Sequence, residues 1–336
     1  MKQAAGYYMI GGFLGAGKTT AVAALAQHLT RRGLRVGLIT NDQGSELVDT
    51  AMLRARGFNT EEITGGCFCC RFNSLVDAAR KLAAAARPDA FVAEPVGSCT
   101  DLVATVSYPL RRIYGDEFRL APLSVLVDPV RAESILGLRE GRRFSGKVLY
   151  IWRKQVEEAD LIVLAKSDLL DQARLEALRE RVAAEFPGRP ILVVSVRTGH
   201  GLAEWFDRLE TLEARLGEAM PVDYDLYAEG EALLGWLNAT VDFAAGEPVD
   251  SGALLEMLAR RMQRELAGVE IAHLKMTLSP EGALGGELAA VSLVRSDLVP
   301  ELSLRLEEPV SRGQIIVNCR AKPGNKYAGQ TRPLAS

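Results

Sequence analysis

Histidine is scarce in this chain, with three in 336 residues, and cysteine is present in an odd number, five. Three histidines (His28, His200, His273) cannot furnish an imidazole-rich metal centre, so any metal site has to rest on thiolates and carboxylates. An odd cysteine count in a chain of this length argues against a disulfide framework. Basic residues are not in excess: 40 Lys and Arg against 43 Asp and Glu give a net charge of -3. That balance excludes the electrostatic footprint of a nucleic-acid binder. No apolar run reaches the ~18 residues of a membrane span, and Met1, Lys2 and Gln3 lead into the first strand without a signal-like apolar stretch. The expectation is a cytoplasmic protein with neither membrane nor nucleic acid as partner. Internal repeats and coiled-coil heptads are also missing.

What is present is ordinary globular matter, 48% hydrophobic and 25% charged, and a length that suggests about two domains at ~150 residues each. Short apolar runs at Tyr7 to Ile10, Arg35 to Thr40, Ala90 to Ala93, Ser124 to Val127, Leu161 to Leu164 and Ile191 to Val194 alternate with helical patterns. Runs of Val, Ile and Leu between helices predict a mostly parallel sheet covered on both faces. The predicted class is α/β up to about residue 218. Beyond Met220 and Pro221 the order changes to strand, helix, strand, strand, with a further strand at Gln314 to Arg320. This predicts a smaller α+β domain over 219–322, of ferredoxin-like kind. Residues 323–336, with Lys326 and Arg332, are expected to form a solvated basic tail together with Arg320 and Lys322.

Gly12-Phe13-Leu14-Gly15-Ala16-Gly17-Lys18-Thr19 satisfies G-x-x-x-x-G-K-[ST]. Glycines let the backbone curl so that its N–H groups face phosphate oxygens. Lys18 supplies a point charge for the β- and γ-phosphates and Thr19 a hydroxyl for Mg²⁺, while the helix opening at Lys18 adds its positive end. A Gly-rich turn without ligand would look similar, but this one follows a strand and opens a helix. The loop alone does not separate kinase, ATPase and GTPase. Lys166-Ser167-Asp168 lies where a guanine-reading N-K-x-D would stand, with Ser195-Val196-Arg197 as a second loop toward the base. The plain alternative makes Asp168 a helix cap. Ala165 takes the usual Asn position and removes a bracing hydrogen bond worth on the order of 1 kcal/mol. Gly66-Cys67-Phe68-Cys69-Cys70 puts three thiols within four residues. Alternate residues Cys67 and Cys69 can share a side and hold Zn²⁺ or a similar ion in an open, exchangeable site.

Taken together these segments resemble the CobW family of P-loop GTPases, relatives of the nickel-insertion GTPases of urease and hydrogenase maturation. The resemblance runs over about residues 5–215 and rests on the loop from Gly12 to Thr20, Asn41-Asp42-Gln43-Gly44, Asp49, Gly65 to Cys70, Glu94-Pro95-Val96-Gly97, Gln155, Ala159-Asp160 and Lys166-Ser167-Asp168. It implies a GTP-hydrolysing metallochaperone that binds a transition metal, zinc or cobalt, at Cys67, Cys69 and Cys70 and hands it to a client metalloprotein. It further implies that Glu94 sits near Mg²⁺ and the γ-phosphate, and that Asp42 and Asp49 belong to a switch-like segment. The family's histidine-rich stretch is missing here, which speaks against bulk metal storage. No side chain stands out as a water-activating base, so slow turnover stimulated by a partner or by homodimerisation is expected. Two competing classes are a P-loop small-molecule kinase and a nucleotide-dependent scaffold without hydrolysis. The kinase gives the cysteine triplet and the Lys166-Ser167-Asp168 loop no role, while persistent bound GTP without phosphate release would mark the scaffold.

Overall fold

A computed structural model describes residues 4–41, 48–63, 72–114, 117–140, 144–215, 220–267, 269–282 and 287–321. Its first unit is a parallel sheet in the order β3-β2-β4-β1-β6-β7-β8. The strands are β1 (Ala5–Gly12), β2 (Val36–Asn41), β3 (Asn59–Ile63), β4 (Ala90–Glu94), β6 (Ser124–Val127), β7 (Leu161–Leu164) and β8 (Ile191–Val193). A short strand, β5 (Phe118–Leu120), also pairs with β1 in parallel. β1 is central and buried on both faces, which is why Tyr7 to Ile10 is an uninterrupted apolar run. The expected strands are all present. β3 and β5 escape the apolar-run criterion because Asn59-Thr60-Glu61-Glu62 and Phe118-Arg119 carry polar residues.

Helices cover both faces. Helix α1 (Lys18–Arg31) buries Val22, Leu25 and Leu29 with Leu38, Val92 and Trp205 in one core layer. On the opposite face lie α3 (Phe72–Ala86) and α6 (Gly146–Glu158), whose Leu75, Leu82, Ile151 and Trp152 join Ile39 and Phe91. In sequence α2 (Val48–Ala55) precedes α3, α4 (Tyr108–Tyr114) and α5 (Pro129–Ile135) fall between α3 and α6, and α7 (Gln172–Glu185) and α8 (Leu202–Thr211) follow α6. Asp171 caps α7 by accepting the Arg174 N–H at 2.9 Å.

The second unit is an antiparallel sheet in the order β12-β11-β10-β13-β9. Its strands are β9 (Gly235–Val249), β10 (Ile271–Pro280), β11 (Ala289–Leu293), β12 (Glu301–Leu304) and β13 (Val310–Ala321). Leu274, Met276 and Leu278 alternate along β10 and pack with Leu255 and Ala259 of α10 (Ser251–Glu265). The α+β expectation holds. The ferredoxin-like detail does not, because the chain between β11 and β13 forms the short strand β12 where that pattern has its second helix. Pro300 and Pro309 lie in this stretch and discourage a helix there. Arg320 corrects the expectation of a solvated basic end: it lies in β13, is 2% exposed, and stands 3.8 Å from Glu231. Helix α9 (Tyr224–Ala232) connects the units and packs on α6, with Gly230 against the Lys147 carbonyl. A division near residue 218 falls on 216–219 and the tail on 323–336, both outside the described residues. No helix among the described residues is long and apolar enough to cross a membrane.

Candidate nucleotide site

Strands β1, β2, β4, β7 and β8 deliver the candidate site residues at the same, carboxyl end. In open α/β sheets this end forms the ligand crevice. After β1 the backbone turns through Gly12, Gly15 and Gly17, all at positive φ, a conformation that favours glycine. Ala16 N–H bonds back to the Phe13 carbonyl at 3.1 Å, and Ala21 N–H to Gly17 at 3.0 Å opens α1. Lys18 is buried and its ammonium lies 3.4 Å from the Phe13 carbonyl, tucked along the loop. Thr20 is exposed.

Glu94 ends β4 and is buried, and it accepts the Thr19 hydroxyl proton at 3.0 Å. Threonine oxygen and carboxylate are hard donors of the kind Mg²⁺ takes, so the donor set fits that ion. The loop that follows is held from α6: Gln155 donates its side-chain amide to the carbonyls of Gly97, 3.0 Å, and Cys99, 2.9 Å. Gln155 is itself buried, which makes the loss of either bond expensive, because a buried carbonyl would be left without its donor. Asp160 braces the next strand by accepting the Leu123 N–H at 2.9 Å.

The opposite side of the loop is closed by Lys166, at left-handed φ of 50°. Its ammonium reaches the Gly15 carbonyl at 2.6 Å and the Asp128 carboxylate at 2.9 Å. Burial acts to raise the Asp128 pKa, but Lys166 and Arg131 outweigh it and hold the carboxyl below its usual range. Two residues on, Asp168 accepts the Ser195 hydroxyl at 2.6 Å, and Ser167 N–H bonds the Val194 carbonyl at 3.1 Å. The two loops expected to flank a base are thus joined, one after β7 and one after β8. Ala165 is buried in the core layer below them. His200 serves this corner through its backbone, its carbonyl accepting the Ser195 N–H at 2.9 Å.

Asn41, at the end of β2, donates to the Ile63 carbonyl at 3.0 Å and ties the ends of β2 and β3 together. Asp42, Cys67, Cys69 and Cys70 lie outside the described residues, as does the Asp49 side chain, although its backbone is in α2. Among the described residues no group of three or more His, Cys, Asp or Glu forms a metal-binding cluster. His28 is 2.8 Å from Glu210, His273 bonds Asn318, and Cys99 is buried in the core.

Three side chains at this site were not singled out from sequence. Asp128 was legible in principle, as a carboxylate between a strand and Pro129, where it caps α5 through the Arg131 N–H at 2.9 Å. Arg131 and Lys275 had no local signal. The Arg131 guanidinium is buried, lies over the rings of Phe13 and Phe144, and donates to the carbonyls of Leu14, 2.9 Å, Ala272, 3.3 Å, and Val294, 3.0 Å. Lys275, from β10, donates to the Thr19 hydroxyl at 3.3 Å. Both contacts join residues more than a hundred positions apart.

Comparison with known proteins matches residues 7–193 to the CobW/HypB/UreG nucleotide-binding domain. The chain belongs to the CobW/HypB/UreG family. Among its relatives, a zinc chaperone CobW of Sinorhizobium sp is 30% identical over 207 residues, 55% of this chain and 57% of that protein. The zinc chaperone YjiA of Escherichia coli is 28% identical over 193 residues, 56% of each chain. The matched region spans little more than half the length of these two relatives. A urease accessory protein UreG of Metallosphaera sedula is 28% identical, with 57% of this chain and 87% of that protein covered. Similar solved structures include HypB of Archaeoglobus fulgidus (20% identity, TM-score 0.42, 62% of this chain and 89% of that one). Another is zinc-bound YjiA of E. coli (17%, TM-score 0.40, 98% and 100%).

Proposed function

We propose that this CobW/HypB/UreG member binds and hydrolyses GTP, and that it carries a transition metal, zinc or cobalt, on Cys67, Cys69 and Cys70 for delivery to a client metalloprotein. The observation that carries the nucleotide half is the junction of Asp168 with Ser195 beside Lys166, whose ammonium spans the phosphate loop at Gly15. A carboxylate that takes one hydroxyl on Oδ1 and has Arg197 3.9 Å from Oδ2 keeps acceptor capacity for the ring N–H and amino group of guanine. Lys18 and the inward backbone N–H groups hold the β- and γ-phosphates, and Thr19 with Glu94 would hold Mg²⁺. Mg²⁺ held there would supply charge neutralisation for the phosphates. The protein's own contribution is positioning, which suits slow intrinsic turnover raised by a partner or by dimerisation.

The metal half rests on the thiol triplet, on the family, and on the position of the strand end from which that segment departs. Ile63 ends β3 beside Asn41, and Thr40 pairs with Glu94 on the other side of β2. Adjacent strands lie ~4.8 Å apart, so the departure point is about two strand spacings from the Glu94 carboxylate. A change at the γ-phosphate would act on the strand end from which the thiol segment departs, the ordering logic of nucleotide switches.

The test is a metal-competition titration of the reduced protein with a GTP analogue or GDP. A transition metal should bind at least ~10-fold more tightly with one nucleotide than the other, a difference of about 1.4 kcal/mol. Cys67→Ser with Cys69→Ser should abolish that difference. Metal affinity unaltered by the double substitution in the GTP-analogue complex would sink the proposal.

A further inference from the structure

The second sheet does more than pack beside the nucleotide site: it inserts a cation into it. Lys275 lies in the middle of β10, paired with Ser292 of β11 on one side and Asn318 of β13 on the other. Its neighbours Leu274 and Met276 point into the core against α10. Strand alternation therefore sends Lys275 to the opposite face, toward the phosphate loop. There its ammonium donates to the Thr19 hydroxyl at 3.3 Å while that hydroxyl donates to Glu94 at 3.0 Å. The strand is fixed relative to the loop by Arg131, which bonds Leu14 on one unit and Ala272 and Val294 on the other. Gly15 makes the same junction from below, since a Cβ there would come within 2.9 Å of the Ala272 carbonyl.

Resting on the nucleotide reading above, we infer that Lys275 competes with the divalent cation for the Thr19 hydroxyl oxygen, so that loading the phosphate site releases a contact from the second sheet. A hydroxyl has one proton and two lone pairs. Here the proton goes to Glu94 and the oxygen accepts from Lys275. A divalent cation on that oxygen would stand beside an ammonium within hydrogen-bonding reach of the same atom, and two positive charges at that separation repel. The ammonium has four methylenes of reach and withdraws by rotation, whereas Thr19 is buried at the start of α1 and stays. Lys275 thereby lowers the site's affinity for the cation and links its occupancy to the second sheet. The same sheet touches α2 through Met52, Leu288 and Ala290, so both the phosphate loop and the helix after 42–47 report to it.

The experiment is a Mg²⁺ titration of the full chain with a fluorescent GDP, beside the Mg²⁺-free affinity of each variant as reference. Lys275→Met should bind Mg²⁺ in the nucleotide complex about 5- to 10-fold more tightly than wild type. Lys275→Gln should do the same, which covers the case in which the methionine variant does not fold, while Lys275→Arg, retaining the charge, should stay near wild type. Equal or weaker Mg²⁺ affinity in both neutral variants, with nucleotide still bound, overturns the competition and leaves the nucleotide reading standing. Failure of the wild-type protein to bind GDP with or without Mg²⁺ overturns both.

Discussion

Gly97 has no φ requirement that singles it out; what it lacks is room. A Cβ at this position would come 2.6 Å from Leu14 Cδ2 and 3.0 Å from both the Leu14 backbone nitrogen and the Lys18 ammonium. The Leu14 side chain can move, but its backbone is part of the phosphate loop, and Gln155 fixes the Gly97 carbonyl from the other side. Gly97→Ala is therefore expected to push the loop or displace Lys18, weakening GTP-analogue binding by ~10-fold or more, about 1.4 kcal/mol, with a smaller effect on thermal stability. Calorimetric titration beside a melting curve checks this, and unchanged affinity would refute the close approach. Gly97 was legible as part of Glu94-Pro95-Val96-Gly97, but the reason for glycine there was not. It depends on Leu14 and Lys18, which the chain brings up from some eighty residues away.

At the level of elements, an unusual carboxyl packs against the turn that follows Gly97. Glu158, the last residue of α6, is buried and accepts the N–H groups of Leu102, 2.7 Å, and Val103, 3.3 Å, at the start of the π-helical turn Val103–Ser107. Burial pushes its pKa up to about 8, the backbone N–H groups of Val103, Leu102 and Asp101 pull the other way, and the Asp101 carboxylate adds to the rise. The folded protein thus holds this proton more tightly than the unfolded chain, whose carboxyl titrates near 4.5. The sign follows from linkage: the contribution is full below about pH 4.5 and is lost as pH rises toward about 8. Glu158→Gln, which mimics the protonated form, should flatten that part of the stability–pH profile and melt higher than wild type at pH 8 to 9. Parallel profiles for the two proteins would show that Glu158 titrates as an ordinary carboxylate. Sequence periodicity marks Glu158 only as a helix-end residue, and its burial comes from how α6 lies against the turn.

The whole molecule is joined at Arg131. A guanidinium with three backbone carbonyls as acceptors, Leu14 in the phosphate loop and Ala272 and Val294 in the second unit, and with Phe13 and Phe144 beneath it, is a staple between the two units. Arg131→Met keeps much of the apolar stem but removes the donors. Each carbonyl left buried without a partner costs roughly 1–3 kcal/mol, and the loss falls on the junction rather than on either core. The expected outcome is two separated unfolding transitions in place of one, with the second sheet and its Lys275 contact uncoupled from the phosphate loop. A single transition lowered uniformly would mean that the remaining contacts at Met52, Leu288 and Ala290 suffice to hold the units together.

The parts of this protein that depend on neighbours in the chain were determined by the sequence. These are the phosphate loop between β1 and α1, the parallel strands written as apolar runs, the Lys166-Ser167-Asp168 turn, and the change to an α+β pattern after Pro221. They can be read because each is enforced by local backbone geometry or by burial on both faces of a strand, which leave a short-range pattern. Polar strands such as β3, and the short strand β12, left none. Tertiary structure alone decided that Ser195 would meet Asp168, that Arg320 would be buried, and that Arg131 and Lys275 would reach the phosphate loop. Those contacts cross between loops or between sheets, where nothing periodic relates one residue to the other.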